Sequence, residues 1–182
     1  QDVGVYCVNA ARHVFGEEPV EATATKHQPE DDPRFAEVEA SIAATLRFPS
    51  GGIAQIIASF GAAAVDGYRV TGSEAEIELD PGYRFETATT MRLRKNGAVE
   101  ETKFPQLDQF GGQVAYFSDC INSGTPPEAD GEEGLCDMRV LLAIEESANT
   151  GRPVAISSPA RPRHPVPDMV RERPVTGKRL LI

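Results

Sequence analysis

Long apolar runs are missing from this 182-residue chain: none approaches the roughly 20 residues that cross a bilayer, and no basic stretch leading into an apolar one opens it. The expectation is a soluble protein with no membrane partner. Cysteine is scarce, with only Cys7, Cys120 and Cys136, far apart and outside any CxxC or Cys/His cluster. An odd, dispersed set argues against a disulfide framework and against a zinc site, and it fits a reducing compartment. Cytoplasmic location is the default; periplasmic export would need an N-terminal signal ahead of residue 1. The three histidines, His13, His27 and His164, lie in separate segments, and each reads as a lone surface residue with no metal to hold.

Phosphate-cradling motifs are also lacking. There is no GxGxxG after a strand and no GxxxxGK[ST]; Gly51-Gly52 and Gly111-Gly112 read as a hairpin turn and a helix start. GxSxG, HExxH and EF-hand patterns are absent as well. Positive charge is in deficit, with a formal net charge of −10, which excludes a nucleic-acid groove unless the cations are concentrated. They concentrate only from Pro159 onward, where the tail is +4 and holds five prolines in 24 positions. Residues 159–182 therefore read as an extended arm, packed on the domain or on a partner, or as a disordered tail.

What is present reads as one ordinary globular domain, 40% hydrophobic and 25% charged, over residues 1–158. After an opening helix, 20–25 favours a strand and 26–35 a loop. Strands over 37–48 and 53–60 flank the turn Pro49-Ser50-Gly51-Gly52 as a hairpin. Further strands are expected at 68–71, 76–79, 84–94 and 98–104, the last two joined by an Asn96-Gly97 hairpin signal. Helices follow at 109–124, with Val114, Phe117 and Ile121 on one face, and at 132–151, with a core stripe of Leu135, Met138, Leu142 and Ile144 or Ala148. Consecutive strands between terminal helices predict an α+β fold: an open, mainly antiparallel β-sheet with helices on one face.

The opening helix carries the candidate chemistry. Val5, Val8, Ala11 and Phe15 form one apolar stripe, and Val3, Cys7, Ala10 and Val14 another. Asp2, Tyr6, Asn9 and His13, spaced four, three and four, form a narrow polar seam between successive turns. Asp2 also stands where a helix N-cap belongs, so capping alone is its plain alternative reading. Gly16 supplies the stop.

The stretches DVGVYCVNAARHVFGEEPVE, DDPRFAEVEASIAATLRFPSG and DQFGGQVAYFSDCINSG, with GEEGLCDMRVLLAIEESANTGRPV after them, resemble in order the C-terminal half of the Gfo/Idh/MocA oxidoreductases, in particular the glucose-fructose oxidoreductase branch. The likeness runs from residue 2 to about residue 156. It implies an N-terminal Rossmann domain, absent from this chain, that binds NADP or NAD and carries a lysine, so no cofactor-binding residue is expected here. It also implies that Asp2 and Tyr6 are catalytic and that Asn9 is a substrate-binding residue. Arg12 matches a common arginine read as an ion-pair former. His13 and the Pro/Arg-rich arm depart from the family pattern.

The chemistry is coherent beside the resemblance. Hydride transfer from a secondary alcohol needs a group to take the hydroxyl proton. A phenol, ionising near pH ~10, needs a cation beside it to do so near neutrality. The expected function is that of the substrate-binding and oligomerisation domain of an NAD(P)-dependent oxidoreductase acting on the CH–OH groups of a sugar or polyol, inactive in isolation. The alternative is a stand-alone, non-enzymatic module binding a carbohydrate or a protein. Relatives in the family cover the open sheet face with another subunit, which implies a homodimer or homotetramer.

Overall fold

The computed structural model describes residues 2–158 and 164–176. Residues 159–163 and 177–182, the ends of the arm expected from the sequence, lie outside the described residues. The chain divides into two compact units, residues 1–62 with 127–165 and residues 63–126 with 166–182.

The first unit begins with α1 (Gly4–Phe15) and β1 (Glu21–His27), followed by a short 3-10 turn at Pro33–Phe35. β2 (Ser41–Arg47) and β3 (Ile53–Ser59) come next, and α3 (Gly131–Thr150) with β8 (Val154–Ala155) closes the unit. The strands pair antiparallel in the order β3-β2-β1-β8. The hairpin is in the expected register, with Arg47 opposite Ile53 across the Pro49–Gly52 turn. β2 starts at Ser41 rather than residue 37, because 36–40 bend where the Ala40 carbonyl accepts from Phe60 and Gly61.

One face of this sheet carries the core. Ala22, Ala44, Leu46 and Ile56 point toward α1 and α3 and are buried with Val8, Phe48, Val140, Leu141, Ala143 and Ile144. The expected α3 stripe is corrected. Of Leu135, Met138, Leu142, Ile144 and Ala148 only Ile144 is buried, and the first three are exposed. The buried face is Cys136, Val140, Leu141, Ala143, Ile144 and Ser147, also at helical spacing. Within that face the small Ala143 and Ser147 lie one turn apart, and Ser147 bonds both ways. Its Oγ accepts from Ala24 N at 2.9 Å and donates to the Arg152 carbonyl at 2.7 Å. Ala24 lies just beyond the two-residue pairing with β8, so Ser147 satisfies a backbone donor that no strand reaches.

The second unit holds β4 (Tyr68–Thr71), β5 (Ala75–Asp80), β6 (Thr89–Lys95) and β7 (Ala98–Phe104), antiparallel in that order, and α2 (Gln109–Ser123). The antiparallel strands are thus shared between two four-stranded sheets. The strand expected at 84–94 begins only at Thr89. Its hairpin with β7 turns through Asn96 and Gly97, both at positive φ. One face of this sheet is a charge ladder: Arg69, Glu78, Arg92 and Glu101 lie in register across four strands, with Glu76 and Arg94 one pair along. Glu78 accepts hydrogen bonds from Arg69, Arg92 and Arg94.

α2 is capped by Asp108, whose Oδ1 accepts from Gly111 N, and ends at Gly124. Val114, Phe117 and Ile121 share one face, as their spacing predicts, and that face is exposed together with Phe110. The opposite face meets the arm. The Asp108 amide donates to the Arg173 carbonyl, Leu107 bridges to Pro174, and Arg171 bonds Asp119 at 2.7 Å while lying over the Tyr116 ring. The described part of the arm is therefore packed on its own unit.

Candidate functional site

Packing fixes how α1 is rotated. Val8 is fully buried, the Phe15 ring stacks on Phe48 at 4.2 Å, and Gly4 lies against Ala58 and Leu141. With that stripe turned inward, Asp2, Tyr6, Asn9 and His13 are all exposed, Tyr6 by 57%. The second stripe is only half covered, and Val14 is exposed. Asp2 lies in the turn before the helix. The N-cap is Val3, with no side-chain cap bond, so the capping reading of Asp2 is corrected. Tyr6, Asn9 and His13 share one strip of helix surface, while Asp2 is placed by the preceding turn.

Below the seam lies an ion cluster built on Arg12, only 4% exposed. All five guanidinium donors are used. Nε and Nη2 bond the two Glu18 oxygens at 2.8 and 2.7 Å; Nη1 and Nη2 bond the two Glu133 oxygens at 2.7 and 2.9 Å; and Nη1 bonds Asp137 at 2.5 Å. Burial alone would lower the Arg12 pKa, but the bonds to Glu18, Glu133 and Asp137 overcome it and hold the guanidinium above its ordinary value. Burial raises the Asp137 carboxyl above the usual range against the pull of Arg12. The cluster ties the last turn of α1 to the first turns of α3, where Glu133 also donates its backbone N–H to the Asp130 cap.

Asn9 belongs to the seam and to the cluster. Its Nδ2 donates to Glu133 Oε1 at 3.3 Å and to Asp137 Oδ2 at 3.2 Å. Arg12 pairs as expected, but its three partners were not singled out in the sequence. The available signal was a glutamate just past the Gly16 stop and acids one turn apart early in α3.

His13 and His27 are exposed, and no group of three or more His, Cys, Asp or Glu among the described residues is arranged to hold a metal ion. No helix among them is long and apolar enough to cross a membrane. The described strands pair only antiparallel, so none of their turns is the parallel crossover that receives a pyrophosphate in dinucleotide-binding sheets.

Comparison with known proteins gives a consistent picture. A D-xylose 1-dehydrogenase (NADP(+)) of Haloferax volcanii is 31% identical over 158 residues, covering 85% of this chain and 47% of that protein. A D-xylose 1-dehydrogenase [NADP(+)] of Haloarcula marismortui is 29% identical over 150 residues, covering 82% and 41%. The chain thus spans under half the length of these curated relatives. The crystal structure of an aldose-aldose oxidoreductase from Caulobacter crescentus, complexed with glycerol, superposes with a TM-score of 0.79 at 37% identity, over 84% of this chain and 46% of that one. The family model described as the C-terminal alpha/beta domain of the oxidoreductase family matches residues 1–156, and the chain belongs to that family, Gfo/Idh/MocA.

Proposed function

We propose that this chain is the substrate-binding and oligomerisation domain of an NAD(P)-dependent oxidoreductase acting on an aldose or a related polyol. The observation that carries the reading is the exposed seam at the start of α1, with Asp2, Tyr6 and Asn9 turned away from a helix face that the core holds fixed. Tyr6 takes or returns the proton of the reacting hydroxyl, Asp2 orients that hydroxyl or a cation beside the phenol, and Asn9 contacts a further hydroxyl. The nicotinamide supplies and accepts the hydride. It is held by a Rossmann domain outside this chain, so the isolated chain is inactive.

The outer face of the first sheet supports the oligomerisation role. Thr23, Thr45 and Gln55 lie in one cross-strand row and Thr25, Ala43 and Ile57 in the next, with Ile53 also on this face. Ile57 is 78% exposed. Small flat residues with exposed isoleucines suit a self-complementary, two-fold interface, giving a homodimer or homotetramer.

The test is turnover by the full-length enzyme, with D-xylose and NADP as the first pair because both haloarchaeal relatives are named for them. Tyr6→Phe is expected to cut kcat by about a hundredfold or more while leaving the cofactor Kd nearly unchanged. Unaltered turnover would remove Tyr6 from the chemistry. An open reading frame that starts at this domain with no dinucleotide-binding segment before it would sink the enzyme reading in favour of a binding module.

A further inference from the structure

The hydrogen bonds of Asn9 specify which of its two faces a ligand can use. Both amide hydrogens are directed at carboxylates, one at Glu133 Oε1 and one at Asp137 Oδ2. The opposite amide orientation would turn a carbonyl oxygen onto two carboxylates that already crowd one guanidinium, so repulsion fixes the orientation as it stands. The two carboxylates are themselves fixed: Glu133 is bidentate on Arg12 and Asp137 bonds the same Nη1. The carbonyl Oδ1 of Asn9, an exposed residue, has no hydrogen-bond partner among the described residues.

We infer that Asn9 meets the sugar as a hydrogen-bond acceptor only, through Oδ1, and that Arg12, Glu133 and Asp137 are the positioning residues that impose this polarity. The site therefore selects a ligand with a hydroxyl at that point over one with an ether, carbonyl or fluorine. The inference rests on the sugar-oxidoreductase reading and adds to it the direction of one contact.

The experiment measures kcat/KM of the full-length enzyme on D-xylose and on its monodeoxy and monodeoxyfluoro analogues, altered in turn at each hydroxyl away from the reacting carbon. Fluorine accepts but cannot donate. One position is expected at which the deoxy and fluoro analogues both lose about tenfold or more relative to D-xylose, and at which Asn9→Ala removes the difference. Asp137→Asn leaves Arg12 its four bonds to Glu18 and Glu133 but takes away one of the charges that orient Asn9. It is expected to lower the hydroxyl-over-fluoro ratio several-fold at that same position, whereas a purely structural loss would slow all substrates alike. A fluoro analogue that retains activity where the deoxy analogue fails, together with abolition of that pattern by Asn9→Ala, would show Asn9 donating and overturn the inference. Discrimination unchanged in Asn9→Ala overturns it too, with the sugar reading intact. An enzyme that turns over neither D-xylose nor any other aldose or polyol with NADP or NAD overturns both.

Discussion

Arg12 shows what one residue contributes when every donor it has is used. Five charge-assisted hydrogen bonds from a nearly buried guanidinium to three carboxylates hold the end of α1 against the start of α3. Removing one partner of a buried ion cluster leaves the others without compensation. Arg12→Met is therefore expected to destabilise the first unit by about 3–5 kcal/mol in urea unfolding, and a loss below about 1 kcal/mol would mean that water relaxes the carboxylates. Ser147→Ala is the uncharged counterpart. It strips one acceptor from Ala24 and one donor from Arg152, and a smaller loss of about 1–3 kcal/mol is expected. Arg12 was legible as an ion-pair former from its place in the helix. Two of its three partners were not, because Glu133 and Asp137 lie more than 120 residues away and only the packing of α3 brings them there.

Among the elements, element type was legible and burial was not. Helical spacing picks out Val114, Phe117 and Ile121 in α2 and Leu135, Met138 and Leu142 in α3, and all six are exposed. A periodic apolar stripe shows that residues share a face; it does not say which face meets the sheet. In α3 the face that meets the sheet is the one that carries Ser147, with Val140, Leu141, Ala143 and Ile144 beside it. In α2 the covered face carries Gly112, where a β-carbon would stand 2.6 Å from the Arg171 carbonyl oxygen. Gly112→Ala should therefore lift the arm from α2, and limited trypsin digestion should cut after Arg171 faster than in the parent. Equal cutting rates would show that the arm shifts without detaching. The charge ladder gives a pH prediction. Bonds from Arg94 and Arg92, with a further one from Arg69, hold the Glu78 carboxyl at about 2, below its ordinary 4.5. A carboxylate with a depressed folded pKa contributes its stability above the unfolded value and loses it as pH falls through the folded one. The second unit should therefore lose thermal stability between about pH 4.5 and 2, and Glu78→Gln should flatten that part of the profile. A profile identical in the two proteins would show that Glu78 is not responsible.

For the whole molecule, the order of strands and helices already pointed to an α+β protein of antiparallel strands and the composition to an acidic one, and the family match over residues 1–156 agrees with the fold. The division of those strands into two sheets was not legible, because a list of consecutive strands does not say where pairing stops. The proposed assembly is testable at this scale. Ile57→Glu, on the outer sheet face away from the core, is expected to shift the sedimentation coefficient of the full-length protein toward the monomer while leaving its circular dichroism unchanged. An unaltered coefficient would place the interface elsewhere.

Local patterns were enough to determine the helices, the β2–β3 and β6–β7 hairpins and the polar seam of α1, because capping, turn chemistry and side-chain period act within a few residues. Tertiary structure alone decided which faces are buried, that Asp2 caps nothing, and that the amide of Asn9 is turned toward Glu133 and Asp137. Each of those depends on groups distant in the chain, and only the packed fold sets the distances over which burial and charge act.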